Sequence, residues 1–502
     1  MDTQVIIVGA GPVGLLLAGE LRLGGAEVVV VDKLARPTTE SRASTVHART
    51  MELLDQRELL AELGTPPREP RGHFGGIPLD LGRLTGPYPG IWKVPQTTLE
   101  ELLGRWATGL GARLLRSVEL TGLTDGPDGV EAGFTGPEGP LRMRASALVG
   151  CDGERSTVRE LAGIAFPGFA ATREMLRADI AGIDIPARRF ERLPGGLAVS
   201  ARRPDGVTRV MVHRYGAPPR PRSEEPSFAE IAEAWQAVTG ERIGDGEVLW
   251  RNAFDDTCRQ AERYRAGRIL LAGDAAHAQM PVGGQALNLG LQDAWNLGWK
   301  LAATVTGRAP DALLDTYHEE RHPVGARVLE SIRAQTHVLL GDRSVEPVRT
   351  LLGELLAQDA VRDRLAAGVS GVDVRYDVGG APGSSLGARV PPSPLHTDAG
   401  PTSTAALLRD GRGLLVELTP APASAAPDGV RERTAPWAGR VRYVRATAPA
   451  GSPLRAPSAP AVLLLRPDGH VAWAHTEDGP SLTAALHRWF GTPRPSTGDD
   501  HT

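Results

Sequence analysis

Val5-Ile6-Ile7-Val8-Gly9-Ala10-Gly11-Pro12-Val13-Gly14 stands almost at the start of the chain, and its reading decides the fold. Four consecutive apolar residues form the run expected of a strand buried on both faces. A glycine-rich turn follows, then helix-like residues 15–23, then Glu27-Val28-Val29-Val30-Val31-Asp32 as a second strand ending in an acid. Strand, G-x-G-x-x-G, helix, strand and acid in one short unit are the context that a dinucleotide fingerprint requires. Gly9 permits the tight turn, Gly11 lets backbone N–H groups approach a pyrophosphate, and Gly14 lets helix and strand pack closely. The positive end of the helix then faces the phosphates. Asp32 can accept from both ribose hydroxyls and would repel a 2′-phosphate, which disfavours NADP in this pocket. A plain α/β turn is the bland alternative, and the register of strands, helix and acid outweighs it. NAD and FAD both remain open.

Two later blocks narrow the choice. Residues 145–150 form another buried strand, ending in Cys151-Asp152-Gly153-Glu154-Arg155-Ser156. Taken alone, Asp152 is most simply a helix cap or turn residue. The third block is Arg268-Ile269-Leu270-Leu271-Ala272, then Gly273-Asp274-Ala275-Ala276-His277, then Pro281-Val282-Gly283-Gly284-Gln285-Ala286-Leu287-Asn288, then a helical stretch over 291–304. Asp274 ends a strand where open α/β sheets bind ligands. A Gly-Gly turn leading into a helix offers backbone N–H groups to an anionic partner. No metal partner sits at ligand spacing from His277, so a structural role is expected for it and no metal site is predicted.

Composition sets the outer limits. The 502 residues allow two to four domains, and 41% hydrophobic with 23% charged residues fits a globular chain. A net charge of −4 predicts neither a nucleic-acid nor an anionic-membrane partner. No segment is apolar for long enough to span a bilayer, and the N-terminal apolar run lacks the basic flank of an export signal. Cys151 and Cys258, the two cysteines, predict a reducing cytoplasm and no disulfide framework.

The three blocks, in this order and spacing, resemble the class A flavoprotein aromatic hydroxylases of the para-hydroxybenzoate hydroxylase type. Glu40-Ser41-Arg42, Ala48-Arg49-Thr50-Met51-Glu52, Gly72-His73-Phe74-Gly75-Gly76 and Val94-Pro95-Gln96-Thr97 bring the chain closer to the FAD-dependent hydroxylases that tailor actinomycete aromatic polyketides, especially the angucycline group. The resemblance implies FAD as cofactor, NAD(P)H as reductant, O2 as co-substrate, and hydroxylation of a polycyclic aromatic polyketide through a flavin C4a-hydroperoxide. It implies that Asp32 and Lys33 hold the adenosine ribose region and that Leu120 offers backbone to the adenine. Arg42 and Gln96 would contact the ribityl and pyrophosphate portion. Asp152 would serve the pyrophosphate region and the nicotinamide contact, and Asp274 the ribityl or pyrophosphate side. Pro281 and Gly283, Gly284, Gln285, Ala286, Leu287 and Asn288 would lie beside the isoalloxazine. Here the family often has Gly-x-Gly-x-Asn, and this chain departs from it. Chemistry carried by a flavin needs orientation and exclusion of water rather than a protein nucleophile, so the lack of a triad signature is expected.

The expected fold is α/β: a split Rossmann-like FAD-binding fold over residues 1–171 and 261–390, an inserted antiparallel substrate sheet over 172–260, and a C-terminal thioredoxin-like domain over 400–491. Within the insert, residues 195–200 and 207–213 read as strands joined by Pro204-Asp205-Gly206. Met175, Leu176, His213 and Tyr215 are the candidates for its substrate face, with core packing the commoner explanation for each, and Phe74 is a further substrate candidate outside the insert. Residues 311–368 read as helices, and 379–401, rich in Gly, Pro and Ser, as a linker. The tail contains no cysteine, so it does no thiol–disulfide chemistry and is expected to be structural or dimer-forming. The expected state is a monomer or homodimer. A disulfide reductase would need a second G-x-G-x-x-G and a C-x-x-C, and a flavin halogenase a Trp-x-Trp-x-Ile-Pro signature; all are absent. Baeyer–Villiger oxygenation and a non-catalytic flavin-binding accessory role stay open as alternatives.

Overall fold

A computed structural model describes residues 1–38, 43–203, 205–220, 222, 224–381, 383–419, 429–456, 459–475 and 479–493. Arg42 and Pro204 therefore lie outside the described residues.

The first strand, Thr3–Val8, is the centre of a parallel sheet, paired with Gly139–Gly150 on one side and Val28–Asp32 on the other. Strands on both edges and the helix Pro12–Leu23 packed against the sheet accompany a strand in which Val5, Ile6 and Ile7 have no exposure, as a run apolar without alternation requires. Beyond these strands lie Arg113–Arg116 and Ile269–Leu271, and the antiparallel pair Glu119–Gly126 and Gly129–Gly136 extends from Gly139–Gly150. The helix Gln285–Val305 packs along the fingerprint helix Pro12–Leu23 and begins earlier than the sequence suggested.

The insert is a five-stranded antiparallel sheet in the order Arg188–Leu193, Gly196–Arg202, Thr208–Arg214, Glu174–Ala181, Glu247–Asp255. One face packs on the helix Phe228–Thr239 through Leu176, Ala178, Val210, Val212, Ile231 and Trp235. The other turns Met175, Leu197, Met211 and Phe254 toward Met280, Val282 and the end of the long helix Asp315–Leu340.

The C-terminal sheet has the order Val441–Ala446, Gly413–Leu418, Val462–Leu465, Val471–Ala474, with the first pair parallel and the rest antiparallel. With the helices Val430–Thr434 and Leu482–Phe490 it forms a βαβ unit followed by ββα. The segment expected to be a free linker is docked instead. Arg389 pairs with Glu52 at 2.7 Å, Val390 N–H donates to Gly469 O at 2.9 Å, and Pro394–Thr397 pairs with Gly400–Ser403.

Buried charges lock this C-terminal unit onto the FAD domain. Arg466 holds Glu320 and Asp468, and Lys300 Nζ meets Glu320 Oε2 at 2.8 Å. Buried groups of this kind are tolerated only when paired, so the tail and the domain it covers form one body. Among the described residues no helix is long and apolar enough to cross a membrane, and no group of three His, Cys, Asp or Glu residues could hold a metal ion.

Candidate functional site

The fingerprint turn has the shape a pyrophosphate needs. Gly9 has φ +106° and donates its N–H to Val31 O at 2.8 Å; a Cβ there would lie 2.3 Å from Cys151 O. A Cβ on Gly14 would lie 2.0 Å from Gly9 O, so helix and turn touch through backbone. A Cβ on Gly11 would meet nothing within 4 Å. Gly11 caps a helix whose first residue is Pro12, so that open space lies in front of the helix's unpaired N–H groups. These residues fit an FAD, whose phosphates would sit at that helix end.

Asp32 receives Ala10 N–H on Oδ2 and Leu34 N–H on Oδ1, both at 2.7 Å, and each oxygen keeps a lone pair for a ribose hydroxyl. Lys33 is exposed beside it. A carboxyl the sequence reading missed joins this end: burial pushes Glu100 up to about 7, Arg116 opposes the shift and Asp32 adds to it. Gln96 opens the helix Gln96–Gly109 and its N–H donates to Ala43 O at 2.8 Å. Leu120 is buried opposite Phe134.

The Asp152 carboxylate turns into its own loop, accepting Ser156 Oγ at 2.6 Å and Val158 N–H at 3.0 Å. It thereby ties down Ser156, the N-cap of the helix Thr157–Leu161, and the first turn of that helix. Asp274 is exposed at the end of Ile269–Leu271, and behind it sits a residue that sequence reasoning missed. Asp293 accepts Gly273 N–H at 3.2 Å and His277 Nε2 at 2.6 Å on Oδ2, and Arg321 Nε at 2.7 Å on Oδ1, all four residues being buried. Burial pushes the Asp293 carboxyl up, but Arg321 and then His277 outweigh it and hold the carboxyl below its ordinary range. His277 thus has its structural partner sixteen residues along the chain, on the next helix.

Asn288 holds the loop expected beside the flavin ring. Its Oδ1 accepts His47 N–H at 2.9 Å and Thr50 Oγ1 at 2.7 Å; its Nδ2 donates to Thr45 O at 3.0 Å and Gly284 O at 2.8 Å. All four bonds are internal, so the Asn288 side chain acts on a flavin only by shaping the loop. Gly283 and Gly284 are left-handed, and a Cβ on Gly284 would lie 2.8 Å from Thr45 Cβ. Asn288→Leu, close in size, is expected to lose these bonds, cost roughly 2–4 kcal/mol and loosen FAD. Denaturant titration and flavin absorbance check this.

His47 is fully buried, and its Nε2 lies 2.9 Å from Gly283 O. A carbonyl only accepts, so Nε2 carries the proton and Nδ1 presents a lone pair; among the described residues neither Nδ1 nor Gln285 Nε2 has a hydrogen-bond partner. Pro281 is exposed, and Ala286 and Leu287 are half-buried.

Of the residues expected on the substrate face, Met175 shares the inner cluster with Met280 and Val282. His213 Nδ1 donates to Glu174 O at 2.8 Å, and Tyr215 lies edge-on to the ring at 5.9 Å with Arg192 above its own ring. Two expectations are corrected. Leu176 points to the opposite face, among Ile231 and Trp235, because successive strand residues alternate. Phe74 packs with Leu79, Leu81, Leu356 and Val369; its neighbour His73 instead meets Phe190, with ring centroids 4.3 Å apart.

Burial holds His47 and His470 down to about 4. Unfolding returns each to about 6.5, so between these values the unfolded chain binds more protons. Stability is therefore expected to fall as pH drops from about 6.5 toward 4. Urea midpoints that stay level between neutral and acidic buffer would contradict this.

Residues 2–331 match the family described as FAD binding domain, and residues 384–493 the one described as aromatic-ring hydroxylase, C-terminal. The chain belongs to the FAD-dependent aromatic-ring hydroxylases and is an FAD-dependent monooxygenase. It is 41% identical to 12-dehydrotetracycline 5-monooxygenase/anhydrotetracycline 6-monooxygenase of Streptomyces rimosus subsp. rimosus, over 98% of this chain and 100% of that one. CabE, an aromatic hydroxylase from angucycline biosynthesis, has a solved structure that superposes with a TM-score of 0.94 at 48% identity, covering 98% of this chain and 100% of that one. Dialkyldecalin synthase of Streptomyces rugosporus is also 41% identical, over 98% of this chain and 99% of that one.

Proposed function

We propose that this monooxygenase hydroxylates a polycyclic aromatic polyketide of the angucycline type, consuming O2 and NAD(P)H, in secondary-metabolite biosynthesis. The observation that carries the reading is the apolar inner face of the inserted sheet, Met175, Leu197 and Met211, set against the Met280–Val282 segment at the flavin loop. Its relatives include an angucycline hydroxylase and a tetracycline-pathway monooxygenase.

Bound FAD supplies the oxygen-activating redox chemistry. The chain's own residues do the rest. Gly11 and the helix behind it take the pyrophosphate, Asp32 the ribose, and the Asp274 turn the ribityl side. Asn288 and His47 hold the Gly283–Gly284 backbone in place, and the methionine-rich face excludes water from the reacting aromatic ring. The unpartnered Nδ1 of neutral His47 is an acceptor for a hydroxyl proton. The C-terminal βαβ–ββα unit is read as thioredoxin-like and structural, and the protein as a cytoplasmic monomer or homodimer.

The test is to supply purified holoenzyme, NAD(P)H and a panel of tetracyclic phenols and quinones, and to follow products by mass spectrometry and NMR. The expected result is nucleotide oxidation coupled to a product with one added oxygen as a new phenol. A lactone would mean Baeyer–Villiger chemistry. Flavin binding without coupled oxygenation would favour an accessory role, or a reaction as different as that named for the decalin synthase relative. Asp32→Ala and Asp274→Ala are each expected to give protein without yellow flavin; normal flavin content in both would remove these two residues from the site.

A further inference from the structure

The chain carries one dinucleotide fingerprint, and FAD takes it, so a nicotinamide reductant has to dock elsewhere. A cavity of about 460 Å³ opens between Phe169–Arg173, the Asp256–Cys258 turn and the last turns of the long helix, at Glu330, Arg333 and His337. Met280 lines it, held by Thr336 Oγ1 at 3.7 Å from its sulfur, and Met280 directly precedes Pro281 of the flavin loop. The same methionine belongs to the apolar cluster on the inner face of the substrate sheet. One wall of the cavity is thus a wall of the site already described.

The lining suits a nucleotide. Phe169 is 53% exposed, and the Arg333 guanidinium lies 3.4 Å from its ring centroid. Arg333 has no ion pair with a carboxylate of the described residues: Glu330, one turn earlier on the same helix, leaves it on the ring. Asp256 is spent on its own turn, accepting Thr172 N–H at 2.6 Å, Thr172 Oγ1 at 2.9 Å and Arg173 N–H at 2.8 Å, and pairing with the Arg173 guanidinium at 3.4 Å. An exposed aromatic ring beneath a guanidinium, with the imidazole of His337 one turn on, offers stacking to a heteroaromatic base and charge-assisted hydrogen bonds to a phosphate. Of the two acids lining the cavity, Asp256 is paired with Arg173, which leaves Glu330 as the acid set against an anion.

We propose that this cavity docks the nicotinamide dinucleotide reductant, with a ring of the nucleotide against Phe169 and a phosphate on Arg333. The inference rests on the reading of the protein as an NAD(P)H-consuming FAD monooxygenase. In the step it serves, hydride leaves C4 of the dihydronicotinamide, the donor becomes the oxidised nicotinamide cation, and the two electrons reduce the bound FAD.

The experiment is anaerobic rapid mixing of FAD-loaded enzyme with rising NADPH or NADH, followed by flavin absorbance. Phe169→Ala and Arg333→Glu are expected to raise the half-saturating nucleotide concentration about tenfold or more, equivalent to a lost charge-assisted contact. FAD content and the rate at saturation should stay near wild type. Glu330→Gln should move the half-saturating concentration the other way. Calorimetry of oxidised holoenzyme with NADP+ and NAD+ should show the same loss in Arg333→Glu without turnover. Unchanged half-saturation in both variants, with wild-type flavin reduced normally, overturns the docking site. A weakened aromatic substrate in place of a weakened nucleotide overturns it too and makes the cavity a substrate entrance. Wild-type flavin that neither nucleotide reduces instead removes the reductant from the functional reading, before any variant is needed.

Discussion

Asp293→Ala is expected to cost about 3–5 kcal/mol of stability and to release FAD from the protein that remains folded. The size follows from what the carboxylate leaves behind. Arg321 has no exposure, and its Nε loses the one carboxylate paired with it among the described residues; Nη1 keeps the Tyr376 hydroxyl at 3.3 Å and Nη2 keeps Leu289 O at 3.1 Å. A buried guanidinium stripped of its counter-charge is among the few single-residue losses that reach this range. The cofactor effect has a separate origin. Asp293 accepts the N–H of Gly273, whose left-handed turn carries Asp274, the residue proposed above to meet the flavin, so releasing that N–H frees the turn. Asp293→Asn separates the two effects. An amide keeps the shape and one acceptor but not the charge, so flavin should still bind, more weakly, in a protein less stable than wild type. Thermal melts with and without added FAD, alongside flavin fluorescence, measure both. A full complement of tightly held FAD in Asp293→Ala would show that the Gly273 turn stands by itself.

The Gly273 turn also shows where sequence reading ends. The fingerprint was legible because its demands are local: a turn, a close approach and a helix start lie within six residues, and glycines mark each. Asp293 was not, because its three partners come from a loop, a strand end and the following helix, and nothing in Leu291-Gln292-Asp293-Ala294 distinguishes a hub from an ordinary helical acid. The same reason hid His47, whose importance comes from Gly283 O and Asn288, more than 230 residues away. The substrate sheet was legible as strands, since alternation and the Asp205-Gly206 turn are local signals. Which face looked inward was not, since alternation is symmetric until a helix covers one side. Leu176 lies on the helix-covered face, one residue from Met175 on the inner face, and Phe74 packs against its own hairpin. Composition led the 379–401 segment to be expected as a linker; Glu52 and Gly469, which dock it, come from two other domains.

The three fingerprint glycines, alike in sequence, should respond to alanine in two opposite ways. At Gly14 the new methyl would lie 2.0 Å from Gly9 O, an overlap with backbone that rotation of a side chain cannot relieve. Gly14→Ala is therefore expected to destabilise by about 3 kcal/mol or more, the upper end for overpacking, and to yield little soluble protein. Gly9→Ala should be similar, because its methyl meets Cys151 O at 2.3 Å on a residue whose φ of +106° L side chains avoid. Gly11 has φ −75° and ψ 179°, which alanine adopts without strain, and empty space in front of it. Gly11→Ala should fold as well as wild type or gain about 0.4–1 kcal/mol by restricting the unfolded chain. Its cost falls on the ligand: the methyl takes the room through which the pyrophosphate reaches the helix N–H groups, so FAD affinity should drop about tenfold or more, and further in Gly11→Val. A melting temperature held or raised together with a loss of yellow colour would distinguish space kept for a cofactor from space needed for folding. Gly11→Ala that retains FAD at wild-type affinity would mean that the phosphates lie somewhere other than at this helix end.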